Sequence, residues 1–163
     1  MKFLLIGGQP NTGKSRMLER LFLFLRIRYS NTINAYPSNL LPPARPFNDF
    51  SVLLMGQDRL GQDVKVLIHS ATDDMDCIDG LKKSINTFQP DIVVCAIRDI
   101  GWERVEVMNI IGNNFFTEIP LARITRRGKQ KPIPTNYSRA ILWYQNCIDN
   151  IVNLVIEHPP FNL

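Results

Sequence analysis

The sequence lacks several features that would place it in a specialised class of protein. No apolar run approaches the roughly 20 residues that a membrane-spanning helix needs, so no membrane partner is expected. The three cysteines, Cys77, Cys95 and Cys147, have neither metal-site spacing nor the even count that disulfides require. The apolar start, Met1 to Ile6, is too short for the core of a signal peptide. We therefore expect a cytoplasmic protein with reduced thiols.

Length, composition and charge fit a single globular domain. A chain of 163 residues suffices for one core, and 45% hydrophobic and 21% charged residues are ordinary values. Without repeats or linkers, residues 1–163 are predicted to form one domain. The net charge of +4 favours anionic ligands. Aromatic residues are not interleaved with the basic ones, which argues against a nucleic-acid partner.

The most informative segment lies near the N-terminus and matches the pattern G-x-x-x-x-G-K-[ST]. Its residues are Gly8, Gln9, Pro10, Asn11, Thr12, Gly13, Lys14 and Ser15. The apolar stretch 2–7 predicts a strand before it, and apolar residues at helical spacing predict a helix at 15–29 after it. Strand, glycine-rich turn and helix form the context in which this pattern binds phosphate.

Each part of this segment has a chemical reason to bind a nucleotide. Backbone N–H groups of residues 8–15 would surround the phosphates, and the helix N-terminus adds unpaired donors and the positive end of its dipole. Lys14 would reach the β- and γ-phosphates, and the Ser15 hydroxyl would bind Mg²⁺. We therefore predict a nucleotide site at 8–15, with Lys14 as a catalytic residue and Ser15 as a metal ligand.

On these residues the chain resembles the P-loop NTPase superfamily. The close resemblance covers the first strand, the loop and the first helix, and beyond them only the alternation of strands and helices is similar. The resemblance implies a three-layer fold with helices on both faces of a mainly parallel central sheet. It also implies a nucleoside triphosphate and Mg²⁺ as ligands.

The rest of the chain predicts an α/β fold, because strand and helix patterns alternate. The proline-rich segment 30–48 excludes a regular helix and leaves room for a short strand near 32–35. Strands at 50–55 and 63–69 have a short glycine-bounded link, which predicts one antiparallel hairpin. The other predicted elements are helices at 76–88, 102–111 and 137–156 and strands at 92–97 and 115–124.

Ligands of parallel sheets lie beyond the carboxyl ends of the strands, so partners of the loop should follow the predicted strands. The run Ile68–Thr72 is similar to the small-GTPase stretch Leu-Asp-Thr-Ala-Gly, but His69 replaces the metal-associated Asp. Asp73 is therefore the first candidate for the carboxylate near Mg²⁺, with Asp74 or Asp99 as alternatives. An N-cap role of Asp73 or Asp74 is the competing interpretation.

Residues at three further strand ends allow more than one interpretation. His69 is either a general base or, more commonly at such a place, a hydrogen-bonded structural residue. Arg98 either contacts phosphate or forms a surface ion pair. Arg126 and Arg127, in a basic segment after the last predicted strand, are predicted to neutralise a transferring phosphoryl group, as in small kinases. The same segment could instead flank the nucleotide base or be a solvated loop.

These features favour two functions. The first is an ATP-binding P-loop protein that acts as a small phosphotransferase, using Mg-ATP to phosphorylate a nucleotide or metabolite. ATP is expected, with GTP as the alternative, because the chain lacks the Asn-Lys-x-Asp motif of GTPases. The second is a GTPase-like switch or slow NTPase that binds a partner protein, with 30–48 and 69–76 responding to the nucleotide. A non-hydrolysing scaffold is a third class, and no motif names the acceptor or partner.

Overall fold

Strands and helices alternate along the chain in the computed structural model, which describes residues 1–29, 31–36, 49–122 and 135–163. The α/β prediction is therefore confirmed. In chain order the elements are β1 (Lys2–Gly7), α1 (Lys14–Arg26), β2 (Asn31–Tyr36), β3 (Ser51–Gln57), β4 (Asp63–His69), α2 (Met75–Phe88), β5 (Ile92–Ile97), α3 (Trp102–Ile111), β6 (Phe115–Pro120) and α4 (Thr135–Glu157).

The six described strands form one mixed sheet in the order β2-β3-β4-β5-β1-β6. β1 lies between β5 and β6 and pairs with both in parallel, and β5 pairs in parallel with β4. β3 runs antiparallel to β4, which confirms the predicted hairpin. β2 runs antiparallel to β3 and so adds a second antiparallel pairing that was not predicted.

Helices cover both faces of the sheet, as predicted. Successive side chains of a strand point to opposite faces, and β1 shows the consequence. Leu4 and Ile6 pack with α1 and α4, whereas Phe3 and Leu5 pack with α2 and α3. All four side chains are completely buried. The structure is thus three-layered, and its central strand is apolar on both faces, as parallel strands usually are.

Several predicted boundaries are wrong by a few residues. α1 ends at Arg26 rather than at 29, because the chain turns at residues 27 and 28. β6 ends at Pro120 rather than at 124, since proline has no N–H with which to continue a ladder. α4 begins at Thr135, two residues earlier than predicted. Residues 123 and 124 of the predicted strand lie outside the described residues.

α4 is the longest described helix, with 23 residues, and it lies beside α1. Ile148, Val152 and Ile156 on its inner face are buried in the core, whereas Trp143 and Leu154 are exposed. None of the helices in the described part of the chain combines the length and apolar character that crossing a bilayer requires.

Candidate functional site

The turn between β1 and α1 contains three positions with backbone conformations that favour glycine, two of which are glycines and one of which is Asn11 (φ +62°). The φ angle is +148° at Gly8 and +93° at Gly13. A Cβ on Gly8 would lie 2.8 Å from the Thr12 hydroxyl and 2.9 Å from the carbonyl oxygen of Leu121, so a larger residue would not fit. A Cβ on Gly13 would meet nothing within 4 Å. The turn is therefore tightly packed around Gly8, whereas there is free space beside Gly13.

The amino end of α1 carries no acidic or capping side chain. Gly13 is its N-cap, and its first turn contains no acidic residue. α2 differs, because Asp74 accepts a hydrogen bond from the Cys77 amide (2.8 Å) and Asp76 lies in its first turn. The first-turn amides of α1 and the positive end of its dipole are therefore available to an external anion.

Lys14 is a buried cation. It is 8% exposed, and its ammonium donates hydrogen bonds to the carbonyl oxygens of Gly8 (2.7 Å) and Gln9 (3.0 Å). No carboxylate of the described residues forms an ion pair with it. Burial lowers the pKa of Lys14, and the charge of Asp73 only partly opposes this effect. An anion bound here would supply the missing negative charge.

The strand order brings two further loops to this turn. β5 lies between β1 and β4, and because all three run in parallel, their carboxyl ends meet at one edge of the sheet. A pocket of about 200 Å³, here called the phosphate pocket, opens at that edge. It is lined by Pro10, Asn11, Gly13, Lys14, Ser15, Arg16, Ser70, Asp73 and Ala96.

Of the three predicted metal carboxylates, Asp73 lines the phosphate pocket together with Ser15. The carboxylate of Asp73 accepts a hydrogen bond from the Arg98 guanidinium, with an Nε to Oδ1 distance of 3.1 Å. This hydrogen bond raises the pKa of Arg98. Arg98 also lowers the pKa of Lys14, so a second cation lies near the pocket.

Asp74 and Asp99 are placed differently. Asp74 is the N-cap of α2, which confirms the structural interpretation for that residue. The hydrogen bond from Cys77 lowers its pKa. Asp99 follows β5, the strand next to β1, but it does not line the phosphate pocket. The negative charge of Asp99 nevertheless raises the pKa of Lys14, so Asp99 acts on the phosphate pocket by electrostatic attraction at a distance.

The known proteins offer no guide to this site. No protein-family model, curated protein or solved structure matches this chain. Its chemistry must therefore be argued from its own residues.

The oxygen atoms in the phosphate pocket fit Mg²⁺ only if a phosphate is bound with it. Within the described ranges, no group of three or more His, Cys, Asp or Glu side chains could hold a metal ion. Mg²⁺ usually keeps several water ligands and takes one or two protein oxygens beside those of phosphate. The Ser15 hydroxyl and the Asp73 carboxylate match that smaller requirement.

A chain of hydrogen bonds leads from Ser15 to a residue that the sequence reasoning missed. The Ser15 hydroxyl donates to the carbonyl oxygen of Ser70 (3.0 Å), and the Ser70 hydroxyl donates to Asp49 (3.0 Å). The Ser70 hydroxyl also accepts a hydrogen bond from the Phe50 amide (2.8 Å). Asp49 precedes β3, which starts at this edge because it runs antiparallel to β4. The hairpin predicted from the sequence therefore already indicated that Asp49, before β3, lies close to Ser70, after β4.

His69 lies away from the phosphate pocket. Successive side chains of β4 point to opposite faces of the sheet, so His69 lies on the same face as Leu67, which packs with α2 and α3. It is 1% exposed, and neither ring nitrogen forms a hydrogen bond of good geometry among the described residues, although backbone groups of Ala71 and Cys77 lie near the ring. Burial lowers its pKa to about 4. His69 is thus a neutral buried side chain outside the phosphate pocket, which favours the structural interpretation made from the sequence over that of a general base.

Two predicted parts of the site lie outside the described residues. They are the basic segment with Arg126 and Arg127, and residues 37–48 of the proline-rich segment. The catalytic role of the two arginines therefore stays a prediction.

Proposed function

We propose that this chain is an ATP-binding P-loop protein that acts as a small phosphotransferase. The supporting observation is the buried Lys14 ammonium, which has carbonyl oxygens as partners and lies at an uncapped helix N-terminus. A triphosphate would add the negative charge that both features favour. The three-layer fold, with the turn at the carboxyl edge of β1, supports a P-loop NTPase-like architecture.

Each residue of the phosphate pocket has a role in this proposal. The loop amides and Lys14 hold and orient the phosphates, while Ser15 and Asp73 hold Mg²⁺, which supplies charge neutralisation when bound. Arg98 is already positioned by Asp73 and adds positive charge beside the pocket. Since phosphoryl transfer depends mainly on positioning and on neutralising charge, these groups suffice for the basic chemistry.

A second function, a nucleotide-dependent switch, is favoured by a different observation. The hydrogen bonds from Ser15 through Ser70 to Asp49 and Phe50 connect the proposed metal ligand to the start of β3. If Mg²⁺ and nucleotide change the contacts of Ser15, the change can pass to the segment that precedes Asp49. GTP and a partner protein belong to this alternative.

Turnover measurements separate the two functions. The phosphotransferase is expected to form ADP only when an acceptor such as a nucleoside monophosphate is added, with the γ-phosphoryl group recovered on that acceptor. The switch is expected to form GDP slowly from GTP without an acceptor and to show different hydrogen exchange at the Phe50 amide with GTP and with GDP. Failure of the protein to bind either ATP or GTP in calorimetry would contradict both.

Replacing each candidate aspartate by asparagine, which has nearly the same shape but no charge, tests which carboxylate assists Mg²⁺. Asp73→Asn is expected to lower the Mg²⁺-dependent gain in ATP affinity by roughly 10-fold, as for residues that support a bound metal. Asp74→Asn is the matched control, because asparagine also caps a helix and the gain should stay unchanged. Affinities measured by calorimetry with Mg²⁺ and with a chelator give the gain. A loss confined to Asp99→Asn would contradict the assignment to Asp73.

A further inference from the structure

A second hollow adjoins the phosphate pocket on the other side of the loop. Its volume is about 220 Å³, and it is here called the α4 hollow. It is lined by Asn11, Thr12, Gly13, Ala122, Ile141, Tyr144 and Gln145. Asn11 and Gly13 also line the phosphate pocket, so the loop forms the wall between the two spaces. The space beside Gly13 is open, since a Cβ there would meet nothing within 4 Å.

The α4 hollow differs chemically from the phosphate pocket. None of its described lining residues is charged, whereas the phosphate pocket contains Lys14, Arg16 and Asp73. The exposed lining is divided between polar and apolar groups. Such a surface fits a neutral, flat, heteroaromatic group better than it fits phosphate.

Two neighbouring residues of α4 give this hollow its binding groups. The Tyr144 hydroxyl accepts a hydrogen bond from the Ala122 amide (2.6 Å), which fixes the half-buried ring against the chain that follows β6. Gln145 is exposed, and its amide forms no hydrogen bond with any described residue. The hollow therefore has a fixed aromatic wall and, beside it, one donor and one acceptor.

We propose that Gln145 contacts the edge of the nucleotide base in the α4 hollow and selects adenine over guanine. The inference rests on the proposed nucleotide site, since the phosphates must occupy the neighbouring pocket. A glutamine amide pairs with the adjacent donor and acceptor of adenine, N6 and N7. Guanine presents two acceptors at the corresponding edge, and the donors on its other edge would pair best with a carboxylate. No carboxylate lines the α4 hollow among the described residues.

Two variants of one position test the inference, with ATP, GTP and inorganic tripolyphosphate as probes in calorimetry. Gln145→Leu removes both hydrogen-bonding groups and is expected to lower the preference for ATP over GTP about tenfold or more, while tripolyphosphate affinity stays unchanged. Gln145→Glu replaces the donor by an acceptor and is expected to move the preference further toward GTP. Gln62→Glu, in the turn between β3 and β4 at the opposite edge of the sheet, is the control for added charge.

The possible results separate this inference from the function on which it rests. If the native protein binds neither ATP nor tripolyphosphate, the proposed nucleotide site is wrong. If the native protein binds both but does not prefer ATP over GTP, the role of Gln145 is wrong. The role is also wrong if Gln145→Leu keeps the native preference. A preference that falls in Gln145→Leu and persists in Gln62→Glu supports the inference.

Discussion

Replacing Lys14 by alanine is expected to weaken ATP binding on the order of 100-fold, because removing one partner of a buried charge pair costs about 3 kcal/mol. Lys14 is the cation that lies within the turn itself, and its ammonium is withdrawn from solvent. The fold should tolerate the change, since the ammonium contacts carbonyl oxygens rather than a carboxylate. Calorimetry gives the affinity, and thermal unfolding without nucleotide gives the stability.

The control for this experiment is Lys83→Ala, which removes an exposed lysine from α2 and the same unit of charge. Its ATP affinity should equal that of the native protein. Equal losses of affinity in the Lys14 and Lys83 variants would show that general charge, not the turn, attracts the nucleotide. Unchanged affinity in the Lys14 variant would overturn the proposed function.

Acid is expected to destabilise the native protein through His69. The ordinary pKa of 6.5 applies when the chain is unfolded, and burial lowers it to about 4 in the folded protein. Between these values the unfolded chain binds a proton that the folded chain does not, so the free energy of unfolding falls as the pH falls. The shift corresponds to about 3 kcal/mol, lost between pH 6.5 and pH 4. Above pH 6.5 the ring is neutral in both states.

Urea unfolding of the native protein and of His69→Leu over this pH range isolates the effect. Leucine has a similar size and no ionisable group, so the variant should lose the additional acid sensitivity, while the carboxylates titrate alike in both proteins. The exposed His158 provides the control, since His158→Gln should keep the native pH dependence. Parallel curves for the native protein and His69→Leu would contradict the burial of an unpaired imidazole.

Local features of the sequence predicted local structure well. The strand, turn and helix around Gly8–Ser15 were located because apolar periodicity and glycine positions act over a few residues. The antiparallel hairpin followed from the short link between two strands. A cap at Asp73 or Asp74 was one interpretation of their place before a helical pattern, and Asp74 is the residue that caps α2. Each of these features depends on neighbours in the chain.

Features that depend on strand order could not be predicted. The choice between Asp73 and Asp99 needed the knowledge that β5 separates β1 from β4, and no short segment of sequence encodes that order. Asp49 is different, because it meets Ser70 across the hairpin of β3 and β4, which the short link between these strands did predict. The burial of His69 was missed because a polar residue at a strand end is usually exposed or hydrogen-bonded.

The position of β1 in the sheet has a consequence for synthesis of the chain. Phe3 is in register with Val93 on one side and with Phe116 on the other, so β1 pairs with strands that lie much further along the chain. Such distant pairings slow folding, because a long loop must close before any contact forms. A nascent chain that ends before β5 would contain the whole glycine-lysine turn and yet lack the sheet that holds it. The proposed nucleotide binding should therefore require that β5 and β6 have been synthesised as well as the turn.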